Sequence, residues 1–434
     1  MSQRLPIPLL AYRVATSCLA PAAAPAWLRR RVRDGKEDEG RLGERYGFAG
    51  RERPPGELVW AHGASVGETM ALLPVIDALV RRGVKVLVTS GTLTSAGLLA
   101  RRLPPGARHQ FLPLDVPRYL ARFLRHWRPR LAIFAESEVW PNTIIELERA
   151  GIPLVLVNGR MSVGSFEGWR KAPKIARALF GRFALCVAQS RADAERLSTL
   201  GASVATISGN LKFDLPPPPA DPAAVEHFAS MTAGREIWMA ASTHPGEDAA
   251  IFEAHQAIAA RRRNLLTILA PRHPERGPAV AQAAAEAGLG VAQRSLGTEP
   301  DQATDLYLVD TLGELGLFYR VAPVVFMGGT LVPRGGQNPF EPARLGTAIL
   351  HGQHTENFAE IFDALDRNNG AVCVPDAGSL AAAAAALLGN GALMRDMARA
   401  AADTAASLGG ALERTMQALE PYLPAPADAR EAFW

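Results

Sequence analysis

The sequence predicts an α/β protein with two doubly wound, Rossmann-like domains that face a cleft. From about residue 55, short apolar runs rich in Val, Ile and Leu alternate with helical segments. Such runs are typical of parallel strands that are covered on both faces. The alternation restarts after a proline-rich stretch, LPPPPADP. The length of 434 residues also suits two or three domains of about 150 residues each.

The domain boundaries follow from that stretch. Four consecutive prolines cannot continue a helix or a central strand, so residues 215–222 are the predicted linker. The sequence therefore divides into an N-terminal segment at 1–45, a first domain at 46–214 and a second domain at 223–434. The Ala-rich tail is expected to supply the closing helices of the second domain.

The elements can be assigned in order. The predicted strands of the first domain are ELVWAHG, VKVLVTSGT, PRLAIFAES, IPLVLVNGR, FALCVAQS and VATISGN. Helical patterns separate them, among them TMALLPVIDALVRRG, LTSAGLLARRL and WPNTIIELERAG. The predicted strands of the second domain are EIWMAAST, LLTILAPRH, DLYLVDT, APVVFMGGT, TAILHG and AVCVPD. Each run is bounded by glycine, proline or polar residues, as strands are.

The N-terminus is apolar but interrupted. Arg13 splits the apolar region, and neither piece reaches the roughly 20 apolar residues that span a bilayer. A signal peptide is an alternative, because LAPAAAPA has small-residue spacing. We favour an interfacial segment with Trp27 at one end, followed by the basic RRRVR. Its prolines argue against one continuous helix.

Charge and cysteine content narrow the class of protein and the partners to expect. The net charge is only +4, but residues 101–130 carry eight arginines against the single acid Asp115. Such a block suits an anionic surface, whether membrane lipid, phosphorylated substrate or nucleic acid; an ordinary solvated helix face is the alternative. Three distant cysteines without CxxC spacing imply neither a disulfide framework nor a zinc site, and suit a reducing cytoplasm.

Ligands of doubly wound sheets bind beyond the carboxyl ends of the strands, so polar residues at these positions are candidate site residues. Glu68, in HGASVGE, follows the first strand at the start of a helix, where the helix dipole favours a carboxylate. Glu68 is a candidate general base, and the alternative is that it caps its own helix. Glu136 and Glu138, in FAESEVWPN, fall on one side if extended; they are candidate acid/base partners or hydroxyl acceptors. The alternative is helix capping and pairing with Arg130 or Lys212.

The second domain offers groups that suit a nucleotide. Arg272 follows a strand and can bind phosphate in bidentate geometry. VDTLGELGLFY begins a helix whose first turn, with Leu312, Gly313 and Glu314, offers free N–H groups. Glu341 ends a convoluted glycine- and proline-rich loop and suits two ribose hydroxyls. The fingerprints GxGxxG after a strand, GxxxxGK[ST], HExxH and GxSxG are missing, which weakens dehydrogenase, ATPase, metalloprotease and hydrolase interpretations.

Together these motifs resemble a known family. GERYG, WAHGASVGE, AESEVWPN, NGRMS, GNLKFD, ASTHPGE, PRHPER, VDTLGELGLFY and GGQNPFEP are similar to the 3-deoxy-D-manno-octulosonic acid (Kdo) transferases of lipopolysaccharide assembly. The resemblance runs over nearly the whole chain from about Gly43. The sequence departs from the family pattern at Gln337, where histidine is expected.

The resemblance implies a GT-B glycosyltransferase that moves Kdo from CMP-Kdo to lipid IVA, the lipid A precursor, with inversion. It implies an acceptor-binding first domain, a CMP-sugar-binding second domain and a membrane-associating N-terminus on the cytoplasmic side of the inner membrane. Glu68 would be the base, and Lys212, Glu136 and Glu138 are candidate contacts of the Kdo carboxylate or the acceptor. The implied CMP contacts are Pro271, Arg272, Leu312, Gly313, Glu314, Asn338, Pro339, Phe340 and Glu341.

No metal or cofactor is expected, because the leaving group is a nucleotide with a single phosphate. The expected partners are CMP-Kdo, lipid IVA and an anionic membrane surface. Two other classes stay open: another GT-B enzyme that uses a UDP-sugar, as a transferase or an epimerase, and a basic α/β binding protein without catalysis. Nucleic acid is not expected, since only 7% of the residues are aromatic and no nucleic-acid module is present.

Overall fold

The computed structural model describes residues 5–214 and 217–424, which form two compact units. The first unit contains the described residues up to 214 together with 409–424, and the second contains 217–408. The predicted linker begins with residues 215 and 216, which lie outside the described residues. Residues 217–221 have no regular structure before the first helix of the second unit.

Each unit is built on one parallel sheet of seven strands. The first sheet has the order β3-β2-β1-β4-β5-β6-β7, and its strands are β1 (Leu58–His62), β2 (Lys85–Ser90), β3 (Ala107–Phe111), β4 (Leu131–Ala135), β5 (Leu154–Gly159), β6 (Leu185–Ala188) and β7 (Val204–Ile207). The second has the order β10-β11-β9-β8-β12-β13-β14, and its strands are β8 (Glu236–Thr243), β9 (Leu265–Pro271), β10 (Val291–Gln293), β11 (Leu306–Leu308), β12 (Val324–Met327), β13 (Ala348–His351) and β14 (Ala371–Cys373). The prediction of two doubly wound α/β domains is confirmed.

Helices connect the strands. Those of the first unit are α1 (Ile7–Arg33), α2 (Leu42–Arg45), α3 (Val66–Arg81), α4 (Leu93–Arg102), α5 (Pro117–Trp127), α6 (Pro141–Arg149), α7 (Val163–Arg170), α8 (Pro173–Phe180), α9 (Arg191–Thr199) and, from the chain's end, α18 (Ala411–Leu419). Those of the second unit are α10 (Pro222–Met231), α11 (Asp248–Ala259), α12 (Gly277–Glu286), α13 (Leu315–Val321), α14 (Phe340–Arg344), α15 (Ala359–Arg367), α16 (Ala377–Gly389) and α17 (Gly391–Leu408). Central strands such as β1 and β4 are buried along their whole length, because a parallel sheet is covered on both faces.

The expectation that prolines interrupt the N-terminal segment is wrong. Helix α1 runs unbroken for 27 residues with Pro21 and Pro25 inside it. Both prolines are partly buried beside Ala24 and Leu28, so they fall on the inward stripe of the helix at spacings of three and four residues. Packing of this stripe outweighs the two lost backbone hydrogen bonds.

The C-terminal helices do not all close the second domain, contrary to the predicted boundary. Helices α16 and α17 pack on the second sheet, but α18 belongs to the first unit. Ala411 and Leu419 are buried in the same apolar cluster as the inner face of α3. Asp214 accepts hydrogen bonds from the backbone N–H groups of Gly410, at 2.7 Å, and Leu412. The buried apolar stripe of α18 and the contacts of Asp214 together hold this helix on the first unit, although it follows the second unit in the chain.

Candidate active site

In each unit the candidate site lies where the order of the strands reverses. Strand β1 lies between β2 and β4, and β8 lies between β9 and β12. Doubly wound domains bind ligands outside the carboxyl ends of the strands at such switch points. The residues that follow these strands are therefore the ones to consider.

A tight turn joins β1 to α3. A Cβ atom added to Gly63 would lie 2.9 Å from the backbone nitrogen of Thr69, so only glycine lets the helix start this close to the strand. The side chain of Ser65 caps α3 by accepting a hydrogen bond from the backbone N–H of Glu68. The carboxylate of Glu68 is thereby brought back over the first turn of its own helix.

Glu68 does cap the helix, as the alternative interpretation expected. Its Oε2 accepts from the backbone N–H of Ala64 at 2.6 Å, and its Oε1 accepts from the hydroxyl of Ser65 at 3.1 Å. Glu68 nevertheless remains partly exposed. Burial and the negative charge of Glu138 raise the pKa of Glu68 above its usual value, and outweigh the hydrogen bonds from Ala64 and Ser65. A carboxylate with a raised pKa is a stronger base than an ordinary glutamate.

Glu136 and Glu138 diverge, so the expectation that they share one side is wrong. Glu136 has a positive φ of 56°, which turns the chain out of the extended conformation directly after β4. Glu136 pairs with Lys212 at 2.7 Å, whereas Arg130 pairs with Glu57. Glu138 instead accepts a hydrogen bond from the indole of Trp140 at 2.5 Å and approaches the ring of His62.

Lys212 is held beside the start of α3 by a buried amide. The side-chain oxygen of Asn158, which has no exposed surface, accepts from the backbone N–H of Leu211 at 2.9 Å. The ammonium of Lys212 would lie 3.6 Å from a Cβ added at Gly67. The first unit therefore collects Glu68, Glu138 and the Lys212–Glu136 pair at one switch point.

The loops of the second site are fixed by Glu247. Its carboxylate is fully buried and accepts from the backbone N–H of His244 at 2.8 Å. It also accepts from the backbone N–H groups of Gly329, Thr330 and Leu331 at 2.7 to 3.1 Å. One buried anion thus ties the turn after β8 to the glycine-rich loop after β12.

Cationic groups surround this turn. The rings of His244 and His273 lie 5.9 Å apart, edge to face, and the side-chain amide of Gln337 contacts Nε2 of His244 at 3.1 Å. Burial lowers the pKa of His244, as do the nearby positive groups, which are His273, Arg334, Arg272 and Arg276. A neutral imidazole among guanidinium groups suits an anionic ligand that the cations bind.

Three of the predicted nucleotide contacts, Arg272, Asn338 and Glu341, meet at this edge. The charge of Arg272 reaches Glu341, whose side-chain oxygen also accepts from the amide of Asn338 at 3.4 Å. Burial raises the pKa of Glu341 despite that hydrogen bond and the charge of Arg272. Pro271 ends β9, and Phe340 is buried at the start of α14 beside Pro339.

Leu312, Gly313 and Glu314 lie at the same edge, but not as the first turn of a helix. Helix α13 begins at Leu315, with Glu314 as its N-cap. Leu312 is 81% exposed, and Gly313 has a φ of 86° with open space around it. Glu314 is bound by Arg294 at 2.6 Å. The predicted helix-terminal anion site is therefore replaced by an exposed loop and an ion pair.

Sequence reasoning missed three residues that organise these sites: His62, Glu247 and Arg294. His62 is the last residue of β1, and Glu247 and Arg294 follow β8 and β10 within four residues, so in position they resemble the residues that were found. Their partners are distant in sequence, however, as with Glu247 and Gly329. Only the topology of the sheet brings those partners together.

Two Rossmann-like domains with polar residues at their switch points define a GT-B protein. Solved structures support the fold. A glycosyltransferase from Rickettsia africae matches with a TM-score of 0.55 at 11% identity, over 85% of this chain and 99% of its own. UDP-GlcNAc 2-epimerase from Neisseria meningitidis matches with a TM-score of 0.56 at 12% identity, over 84% of this chain and 100% of its own.

Sequence relatives define the family. A family model described as 3-deoxy-D-manno-octulosonic-acid transferase (kdotransferase) matches residues 40–215. The 3-deoxy-D-manno-octulosonic acid transferase of Haemophilus influenzae is 35% identical over 88% of this chain and 91% of its own. That of Bordetella pertussis is 37% identical over 95% and 99%. The chain belongs to the 3-deoxy-D-manno-octulosonic acid transferase family, and the resemblance seen in its motifs is confirmed.

Proposed function

We propose that this protein transfers Kdo from CMP-Kdo to lipid IVA, with inversion at the anomeric carbon. The observation that carries the proposal is the similarity to named Kdo transferases over 88–95% of the chain. The pair of carboxylates at the switch point of the first unit supports it, because transfer to a hydroxyl needs a base.

Glu68 is the proposed base. It takes the proton of an acceptor hydroxyl as the oxygen attacks the anomeric carbon, and CMP leaves from the opposite side. Its raised pKa means that it is ionised, and hence active, only above that pKa. Assistance of this kind contributes about 10²–10⁴-fold to the rate. Lys212 lies beside the start of α3 and is the proposed partner of the Kdo carboxylate.

The second unit is the proposed donor site. Arg272, with the cationic groups around His244, would stabilise the phosphate charge that develops as CMP leaves. The carboxylate of Glu341 would accept hydrogen bonds from the ribose hydroxyls, and the amide of Asn338 would donate one to the ribose. Pro271, Pro339 and Phe340 would shape the pocket. Leu312, Gly313 and Glu314 would contact CMP from the exposed loop before α13.

Donor choice can be measured by thermal unfolding. CMP at 100 times its Kd should stabilise the protein by about 2.7 kcal/mol. UDP at the same concentration should leave the midpoint unchanged. Stabilisation by UDP but not by CMP would instead favour a UDP-sugar enzyme.

The catalytic proposal is tested with purified protein, CMP-Kdo and a tetra-acylated lipid A precursor, with products read by mass spectrometry. Glu68→Gln should lower kcat by about 10²–10⁴-fold. Asp376→Ala is the matched control, because it removes the helix cap of α16 in the second unit and leaves Glu68 and its contacts unchanged. Near-normal turnover by folded Glu68→Gln would overturn the role, as would an equal loss in Asp376→Ala.

Attachment to the cytoplasmic face of the inner membrane is proposed through α1. This helix is long and apolar enough, by length and composition, to cross a membrane. The guanidinium of Arg13 is buried on its inner stripe and pairs with Glu146 of α6 at 2.5 Å. The outer stripe is apolar, with Ile7 81% and Val14 63% exposed. Packing of the inner stripe on the first unit supports a helix that lies in the membrane surface.

A basic face beside α1 supports an anionic surface as the partner. Helix α5 contacts α1 and buries its aromatic side chains, while Arg118 and Arg125 point to solvent. Arg122 lies over the half-exposed ring of Phe48 at 3.8 Å. Apolar and cationic groups on adjoining helices suit lipid headgroups.

A further inference from the structure

His62, the last residue of β1, is a fully buried histidine whose register partners are Thr89 of β2 and Phe134 of β4. Its ring packs edge to face on Phe134 with 5.0 Å between centroids. Nδ1 lies 2.9 Å from the hydroxyl and 3.1 Å from the carbonyl oxygen of Thr89. Nε2 faces the Glu138 carboxylate at 3.4 Å, and within the described residues it has no closer hydrogen-bond partner.

The neighbours of His62 determine which nitrogen carries the proton. The indole N–H of Trp60, which can only donate, reaches the hydroxyl oxygen of Thr89 at 2.8 Å. The Thr89 hydroxyl can then donate its own proton to Nδ1 of His62, as the tautomer with the ring proton on Nε2 requires, whereas the other tautomer would donate from Nδ1 to the Thr89 carbonyl. That tautomer would turn a bare lone pair toward a carboxylate, which is repulsive.

The Nε2–H of His62 thus points at the Glu138 carboxylate, and the charge of Glu138 changes the pKa of Glu68. Burial tends to raise the pKa of Glu138, but contacts with His62, then Trp140 and Glu68, lower it overall. The charge of Glu138 in turn contributes to the raised pKa of Glu68. Among the residues that the structure describes, the other charged groups facing the pair are Glu136, which adds to that rise, and Lys212, which pairs with Glu136.

We propose that the chain Trp60–Thr89–His62 is a positioning device whose last member, the Nε2–H of His62, holds the Glu138 carboxylate ionised and oriented beside Glu68. The inference rests on the proposed role of Glu68 as base. His62 is buried and does not touch substrate. It acts through Glu138, and the contact of 3.4 Å is of the kind that shortens when substrate binds.

The expected effect is a shift of the pH profile. The acid limb of the pH profile of kcat/KM reports the ionisation of the coupled pair Glu68 and Glu138, and not that of one residue. Without the donor of His62, the doubly ionised pair is less stable, so His62→Phe should move the limb to higher pH by about one unit, a tenfold change in the ionisation constant. Glu138→Gln should move the limb to lower pH, because it removes the negative charge beside Glu68.

The experiment compares pH profiles of the full-length protein with CMP-Kdo and lipid IVA. His62→Gln keeps an N–H donor and should restore much of the wild-type limb. Thr89→Val removes the donor to Nδ1 and should shift the limb in the same direction as His62→Phe, which provides a second variant if the first does not fold. Phe134→Leu is the control, because it disturbs the packing around His62 and leaves the hydrogen bonds in place.

The outcomes separate the two proposals. One outcome is that His62→Phe and Thr89→Val both lower kcat while the acid limb of kcat/KM stays at the pH found for Phe134→Leu. In that case His62 is merely structural and the inference fails. If Glu68→Gln keeps near-normal turnover, the proposed base fails whatever His62 does. A limb shifted upward by His62→Phe, restored by His62→Gln and shifted downward by Glu138→Gln supports the positioning role.

Discussion

At the scale of single residues, the capping contacts of Glu68 are compatible with its proposed role as the base. The sequence placed Glu68 at a helix start, and the structure confirms a capping box with Ser65. The donors that cap the helix also stabilise the carboxylate, while burial and Glu138 oppose them. The balance leaves the pKa of Glu68 raised, and the same contacts would hold the proposed base in place between turnovers.

How much of the site the sequence could predict depends on where each partner lies in the chain. Glu68 was found because its strand, turn and helix are contiguous. Glu247 was not singled out, because three of its four donors come from the loop at 329–331. His62 looked like the last residue of a buried strand, and only the pairing of β1 with β2 and β4 reveals its neighbours.

His109 gives a prediction of pH-dependent stability. Burial, then the charges of Arg41 and Arg45, lower its pKa to about 3. The neutral ring lies near Ser90 and Arg41 at 2.9 and 3.2 Å. Protonation below the unfolded pKa of about 6.5 therefore favours the unfolded chain. The stabilisation is complete above pH 6.5 and is lost as pH falls toward 3.

His109→Gln should remove that dependence. Between pH 6.5 and pH 5, the wild type should lose about 2 kcal/mol more than the variant, measured by urea unfolding with hydrogen exchange of the β2 and β3 amides as the local readout. His227→Gln is the control, because that ring is 60% exposed. Parallel losses in the wild type and His109→Gln would contradict the prediction.

At the scale of elements, α1 shows why the prolines misled. A proline costs a helix about 3 kcal/mol in an isolated segment, which is enough to predict a break. Pro21 and Pro25 lie on the stripe that packs inward with Ala24 and Leu28, and their rings contribute to that packing. The sequence shows the spacing of these residues, but it does not show that the first unit offers a surface to receive them.

The outer stripe of α1 carries the second prediction. Leu10→Glu with Val14→Glu should lower binding to vesicles of phosphatidylethanolamine and phosphatidylglycerol at least tenfold. Each loses about 1.5–3 kcal/mol of apolar burial if the helix lies in the interface. Folding should be unaffected, since Leu10 is 46% and Val14 63% exposed. Co-sedimentation at physiological salt measures the effect.

The second unit supplies a matched control. Leu393→Glu changes a leucine that is 47% exposed, almost the same as Leu10, at a position far from α1 in the chain. It should bind vesicles as the wild type does. Equal binding by the α1 variant and Leu393→Glu would rule out attachment through this helix.

At the scale of the whole molecule, the alternation of strands and helices in the sequence predicts the class of fold. It does not predict that helix α18, at the end of the chain, returns to the first unit. An amphipathic segment such as ALERTMQALEPYL specifies that one face is buried. It does not specify which sheet covers that face. The choice is made by contacts such as Asp214 with Gly410 and Tyr422 with the carbonyl of Ala184, whose members are about 200 residues apart.

The return of α18 to the first unit predicts which fragments of the chain should fold on their own. Residues 217–408 carry the complete second sheet and helices α10–α17, so this fragment should fold alone with cooperative unfolding and should bind CMP.

A fragment ending at residue 214 lacks α18, whose Leu419 is fully buried. It should be destabilised by several kcal/mol, because a large apolar face of α3 is uncovered. Fusing 409–424 to it through a flexible Gly/Ser linker should restore the stability. Circular dichroism melts of the three fragments decide the matter: if the fragment that ends at 214 melts like the fused one, α18 contributes nothing to the first unit, and the boundary first read from the sequence would stand.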